Sequence, residues 1–301
     1  MSTRNLSENS ITAAVKSRMT RAKSARFKFV MGKLVDHLHQ FARDVKLTEP
    51  EWDYGIGFLT RTGQKCDDAR QEFILLSDTL GLSTLLTQMN HQSRGKETEQ
   101  TVWGPFHRLD APEFKEWDNI SKGFRGKPCF VDVTVKNEVG KAIRGATVDV
   151  WHSDDVGFYD TQMKKLKGKM AMRGVLRPDA EGHVRFRTIV PKFYPVPTDG
   201  PVGELLKASA RHPMRPAHIH FLISAPGYDR LVTHVFERGD KYLDSDAVFG
   251  VRNSLVREYK KHPAGRAPDG TMMAKPFYTL NYNFVMRPPT KKAAKKRRAA
   301  K

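Results

Sequence analysis

The feature that most constrains this chain is a change of hydrophobic period near residue 100. Between residues 11 and 46, Ile11, Val15, Met19, Phe27, Val30, Met31, Leu34, Val35, Leu38 and Phe41 recur at threes and fours with no proline, the spacing of an amphipathic helix. Further helix starts are expected at Thr48, which is followed by Pro50 and Glu51, and near Asp67 ahead of ARQEFILLSDTL. Leu82 to Met89 continues the apolar pattern, and the polar run HQSRGKETEQ then reads as a loop. Beyond it glycine and proline become frequent and the period falls to two. Val131, Val133 and Val135 alternate with polar residues before a turn at NEVG; Ala146, Val148 and Val150 do the same, as do Val184 and Phe186. AHIHFLIS places Ile219, Phe221 and Ile223 on one strand face and His218, His220 and Leu222 on the other, and LVTHVFER and FYTLNYNFVM read as further strands. The expected fold is mainly β with a helical domain: an antiparallel β-sandwich preceded by N-terminal helices.

The net charge of +19 suggests nucleic acid until it is divided by region. Residues 1–28 contribute +6 and residues 291–301, KKAAKKRRAAK, contribute +7, which leaves +6 on the 262 residues between. Basic ends of this kind read as solvated appendages that touch polyanions loosely, so no specific nucleic-acid partner is expected. The expected division is therefore a basic extension at 1–28, a helical segment at 29–105, a sandwich at 106–290 and a basic tail at 291–301. No run is long and apolar enough for a membrane span, and no signal-peptide pattern appears. Cys66 and Cys129 are too few for a disulfide framework, which with the other features leads to the expectation of a cytoplasmic protein. GxGxxG, Walker and GxSxG motifs are missing, and with them the phosphate-binding and serine-hydrolase readings.

Chemistry concentrates on His218-Ile219-His220. Side chains two apart on a strand share a face, so both imidazoles can reach one cation; a hydrogen-bonded structural pair fits the same spacing. No HExxH, cysteine cluster or HxD/HxE triad completes a metal site. Tyr159 in DDVGFYD and Tyr194 in KFYPVPTDGPVG stand in loops where a tyrosine is ordinarily a packing residue with a wet hydroxyl. Taken with the histidines, two phenolates make a coherent donor set for ferric iron, because phenolate is a hard anion whose charge offsets that of the ion. His234 could pass for a third imidazole ligand, although a place outside the ligand set is expected for it. His107 is expected to shape a pocket, Trp117 and Trp151 to be core, and Asp154 and Asp155 to serve the bend at Gly157.

GFYD, YPVPTDGP and RPAHIHF in combination, within a match running over roughly residues 45–290, resemble the intradiol ring-cleavage dioxygenases. ATVDVWHSDDVGFYD, EWDYGIGFLTRTGQKCDDARQEFILLSDTLG and WGPFH extend the likeness. The resemblance implies one Fe(III) per chain, ligated by Tyr159, Tyr194, His218 and His220, with Arg215 as the cation beside the substrate and Tyr194 as the ligand released to act as a base. Substrates would be a small aromatic diol or triol and O2. It also implies a homodimer formed through the N-terminal helices, with phospholipid at that interface. GFYD, THVF, GDKYLDSDAVFGV and the Asp78 of LLSD resemble the hydroxyquinol branch of the family more than the catechol branch. Its pocket would be walled by Leu75, Asp78, Val102, Trp103, Gly104, Pro105, Phe106, Val196, Pro197, Arg215 and Val248. His152 stands where hydroxyquinol relatives often have Gln, and Trp103 where Phe is common. The competing expectations are a catechol or chlorocatechol 1,2-dioxygenase and, remotely, a non-enzymatic nucleic-acid-associated protein on the same fold.

Overall fold

The computed structural model describes residues 4–67, 70–92 and 95–289, and its contacts divide into two compact units, one up to Arg61 and one from Thr62 onward. The basic tail at 291–301 lies outside the described residues.

Among the described residues the α-helices are α1 (Ile11–Arg18), α2 (Ala25–Asp44), α3 (Glu49–Gln64), α4 (Glu72–Thr79), α5 (Leu82–Asn90) and α6 (Pro201–Ala208). The periodic stretch from 11 to 46 is thus two helices. Ser24 makes the break: its hydroxyl accepts the Phe27 N–H at 3.1 Å and caps α2, supplying one of the hydrogen bonds that a helix start lacks. Thr48 starts α3 as expected. The Thr48 N–H donates to Glu51 at 2.9 Å while the Glu51 N–H reaches the Thr48 hydroxyl at 3.5 Å, a reciprocal cap. Asp67 accepts the Arg70 N–H at 2.7 Å, closing a turn that delays α4 to Glu72.

Among the described residues the strands are β1 (Pro128–Asn137), β2 (Thr147–His152), β3 (Arg173–Leu176), β4 (His183–Ile189), β5 (Tyr194–Pro195), β6 (Met214–Arg215), β7 (His218–Ser224), β8 (Leu231–Glu237), β9 (Val256–Arg257), β10 (Lys260–His262), β11 (Gly265–Arg266), β12 (Met272–Met273) and β13 (Phe277–Met286). The two large sheets run β10-β13-β1-β4 and β3-β2-β7-β8-β9, and β5 pairs with β6. Most pairings are antiparallel; β1 with β13 and β8 with β9 are parallel. Inner-face residues alternate, so Val131, Val133 and Val135 of one sheet meet Val148, Val150, Ile219, Phe221 and Ile223 of the other in a single buried core. Among the described residues no helix is long and apolar enough to cross a membrane.

Candidate active site

The alternation of β7 that drives Ile219, Phe221 and Ile223 into the core turns His218 and His220 to the other face of the same sheet. Register sets their neighbours. Across β2, His220 lies opposite Trp151, whose indole stacks on it at 4.5 Å and 13°; across β8 it lies opposite His234, 4.2 Å away between ring centroids. His218 Nδ1–H donates to the Pro216 carbonyl at 2.7 Å, which leaves its Nε2 as a bare lone pair. That Nε2 is 3.0 Å from His220 Nε2, and His220 Nε2 is 3.1 Å from the Tyr159 hydroxyl.

The two tyrosines reach this point from separate loops. Tyr159 follows a bend in which Asp154 accepts the N–H groups of Val156 at 3.0 Å and Phe158 at 2.9 Å, the turn role expected of it. Gly157 is required there: its φ is +98°, and a Cβ would lie 2.8 Å from the Phe193 carbonyl oxygen and 3.1 Å from Tyr194 Cβ. Absence of a side chain lets the two tyrosine-bearing segments close. Tyr194 is fixed on β5 opposite Arg215 on β6, and Arg215 Nη1 donates to its hydroxyl at 3.3 Å. The phenol rings meet edge to face at 5.1 Å, and Phe106 stacks on Tyr159 at 4.4 Å.

This arrangement fits a hard cation. Two imidazole Nε2 atoms and two phenol oxygens, all buried, converge on one place, while the buried His220 Nδ1 and His234 Nε2 have no hydrogen-bond partner among the described residues. Burial holds His218, His220 and His234 well below the usual imidazole range, so each presents a neutral ring. Burial and then the neighbouring Tyr194 push the Tyr159 phenol well above its usual range, a state that a bound cation reverses. Ring nitrogens of His218, His220 and His234 lie within 4.8 Å of one another. His234 Nδ1 is 2.6 Å from the Thr101 hydroxyl, which orients its ring beside the other two.

Of the sequence-derived pocket residues, Leu75, Pro105, Phe106, Val196 and Pro197 line a cavity of about 770 Å³, which His107 also lines. Gly104 backs onto the imidazole of His220: a Cβ there would lie 3.0 Å from Cε1. Val102, Val248 and Arg215 are buried. Trp103 is 38 % exposed, with Arg230 over its ring at 5.8 Å, and does not line the cavity. Asp78 is only 5 % exposed on α4, so it does not face solvent at the helix end; desolvation raises its carboxyl above the usual range, and a bond from Ser83 partly offsets this.

Three features escaped the sequence. Asp246 pairs with Arg215, Nε to Oδ1 at 3.1 Å, and nothing in SDAVFG announces it. Trp151 is core, as expected, yet it also sets the plane of His220. His107 Nε2 is 2.6 Å from Asp149 and its ring meets Trp151 at 4.7 Å, a link that β2 makes by alternation, since Asp149 and Trp151 are two apart.

Fold and site together define a class: a β-sandwich carrying a buried two-imidazole, two-phenol donor set beside a cleft. Known proteins narrow it. Residues 24–98 match the family model described as catechol dioxygenase N terminus, and residues 105–288 the one described as dioxygenase. The chain is 51 % identical to a 6-chlorohydroxyquinol 1,2-dioxygenase of Cupriavidus pinatubonensis, over 93 % of this chain and 98 % of that protein. It is 34 % identical to a catechol 1,2-dioxygenase of Candida albicans, over 91 % of each. The crystal structure of a hydroxyquinol 1,2-dioxygenase from Pseudomonas putida superposes with a TM-score of 0.85 at 44 % identity, covering 94 % of this chain and 99 % of the other. The chain belongs to the intradiol ring-cleavage dioxygenase family.

Proposed function

We infer that this enzyme is a hydroxyquinol 1,2-dioxygenase. It uses O2 to cleave 1,2,4-trihydroxybenzene between its two adjacent hydroxylated carbons, giving 3-hydroxy-cis,cis-muconate, the tautomer of maleylacetate. The observation that carries the substrate is the buried carboxyl of Asp78. It gains a further donor from the third hydroxyl of hydroxyquinol, whereas catechol leaves the desolvated carboxyl with the Ser83 bond alone, a difference of about 1–3 kcal/mol.

Tyr159, Tyr194, His218 and His220 would hold one Fe(III) per chain. When bound, that ion acidifies the ring hydroxyls and draws electron density from the ring so that a ring carbon reacts with O2. Tyr194 would act as the base, taking a substrate proton at its side-chain oxygen. Arg215 Nη1, 3.3 Å from that oxygen, steadies the negative charge developing there and on the ring. Tyr159, covered by Phe106, stays in place. Leu75, Pro105, Phe106, Val196 and Pro197 give the ring the apolar part of the cavity wall.

Residues 106–290 form the catalytic domain in this reading, and 29–105 the dimerisation and linker region. Phe27, Phe29, Leu34, Leu38 and Phe41 on α2 and Trp52, Ile56 and Leu59 on α3 are exposed, which supports a homodimer with phospholipid between its helices. The protein acts in the cytoplasm, and the basic ends are appendages.

Two measurements test the reading. The purified protein should hold about one iron per chain and absorb visible light through its tyrosinates; a colourless, zinc-loaded protein with full activity overturns the ligand set. Its kcat/KM for hydroxyquinol should exceed that for catechol by at least about tenfold, and the reverse preference overturns the substrate.

A further inference from the structure

Arg215 and Asp246 are both buried and form a forked pair, Nε to Oδ1 at 3.1 Å and Nη2 to Oδ2 at 3.4 Å. The carboxylate cannot swing away, because Oδ2 also accepts the Gly250 N–H at 2.9 Å and Oδ1 the Val248 N–H at 3.4 Å. One edge of the guanidinium is thereby occupied, and the remaining nitrogen, Nη1, is the one on Tyr194. A second buried carboxylate, Asp78, lies within Coulombic reach of both Arg215 and Asp246. Two buried carboxylates therefore compete for one buried cation. Whichever wins has its lone pairs filled by N–H groups, and only the loser remains free to accept from a substrate.

We propose that Asp246 is a positioning residue that holds Arg215 on Tyr194 and away from Asp78, so that Asp78 stays available to the substrate. The specificity consequence rests on the hydroxyquinol reading; the placement of Arg215 does not. Without the Asp246 charge the guanidinium would turn towards Asp78, a buried carboxylate that it already attracts, and the Tyr194 oxygen and the third-hydroxyl acceptor would be lost together.

Asp246→Asn tests this in the iron-loaded full-length enzyme. The hydroxyquinol-to-catechol ratio of kcat/KM should fall by about tenfold or more, and D78A/D246N should fall no further than D78A alone. The tyrosinate absorption of the resting enzyme, read without substrate, should also shift in D246N. A milder probe is Gly250→Ala, whose Cβ would lie 3.2 Å from both Arg215 Nη2 and Asp246 Oδ2 and so wedge the pair without removing charge; a fall of about threefold in the ratio is expected. If D246N does not fold, G250A decides. A ratio within about twofold of wild type in the folded variants, or independent losses in the double variant, overturns the proposal. A catechol-preferring wild type overturns the substrate reading instead, and the absorption band then decides on Arg215: a shift upholds its placement, and an unchanged band overturns it.

Discussion

Two buried arginine–aspartate pairs stand behind the two tyrosines, and they are built differently. Behind Tyr159, Arg173 on β3 gives both of its charged hydrogen bonds to Asp160, whose oxygens also accept the Thr161 N–H at 2.8 Å and the Ala171 N–H at 3.1 Å. Beside Tyr194, Arg215 divides itself between Asp246 and the phenol. The first pair is closed upon itself and anchors the loop that carries Tyr159. The second keeps one donor on Tyr194, the residue proposed as the base. A buried ion pair stabilises little by itself, since desolvation offsets most of its attraction, so the difference lies in what each arrangement leaves available.

The strongest way to break that contrast is to remove each phenol in turn. Tyr194→Phe should cost two to four powers of ten in turnover with iron largely retained, because it removes a base and its cation contact. Tyr159→Phe should instead lower iron content per chain. Metal analysis alongside single-turnover rates reads both, and an inverted result, with iron lost from Tyr194→Phe and kept by Tyr159→Phe, would exchange the two roles.

Asp160→Asn should destabilise by about 3–5 kcal/mol, because it strands the Arg173 charge in the interior. The urea midpoint measures it, and a loss below about 1 kcal/mol would show that Arg173 finds other partners.

His152 sharpens the comparison through pH. Burial, partly offset by its bond to the Ser153 carbonyl at 2.7 Å, pulls its pKa down to about 4 from the usual 6.5. The unfolded chain therefore takes up this proton first as pH falls. Stability attached to His152 is complete above about pH 6.5, declines below it, and levels off under about pH 4, by up to about 3 kcal/mol. His152→Gln should remove that slope, so the difference in unfolding free energy between the two proteins should change across pH 6.5 to 4; a constant difference contradicts it.

Asp78→Ala should lower the hydroxyquinol-to-catechol ratio by one to two powers of ten, equivalent to about 1–3 kcal/mol. An unchanged ratio clears Asp78 of the role. The smallest effect is expected from deleting 291–301, whose apolar residues are all alanine: ring cleavage should persist, and its loss would assign that tail a part in the site.

Legibility tracked range along the chain. Strands at 131–135, 184–186, 218–224 and 231–237 were readable because alternation is local and the core rewards it. Helix α6 was not, since eight residues opening at Pro201 sit among glycines and prolines that otherwise signal turns. Parallel pairing of β1 with β13 was also hidden, because partners such as Val133 and Tyr282 are far apart in sequence and the period is the same for either direction.

The sequence by itself determined the order of helical and strand-rich regions along the chain, the concentration of positive charge at its two ends, and the pairing of His218 with His220 on one strand face. These follow from periodicity and spacing within a few residues. The motifs nominated Tyr159 and Tyr194 through resemblance, but only the tertiary structure brought their oxygens towards the histidines, through a glycine that lets two loops close. It also decided that Asp78 is buried and that Asp246 is the partner of Arg215. Those outcomes depend on which segments meet in space and how much water they exclude. A carboxylate is written with the same letter whether it faces solvent or a buried guanidinium, and its chemistry is set by that environment.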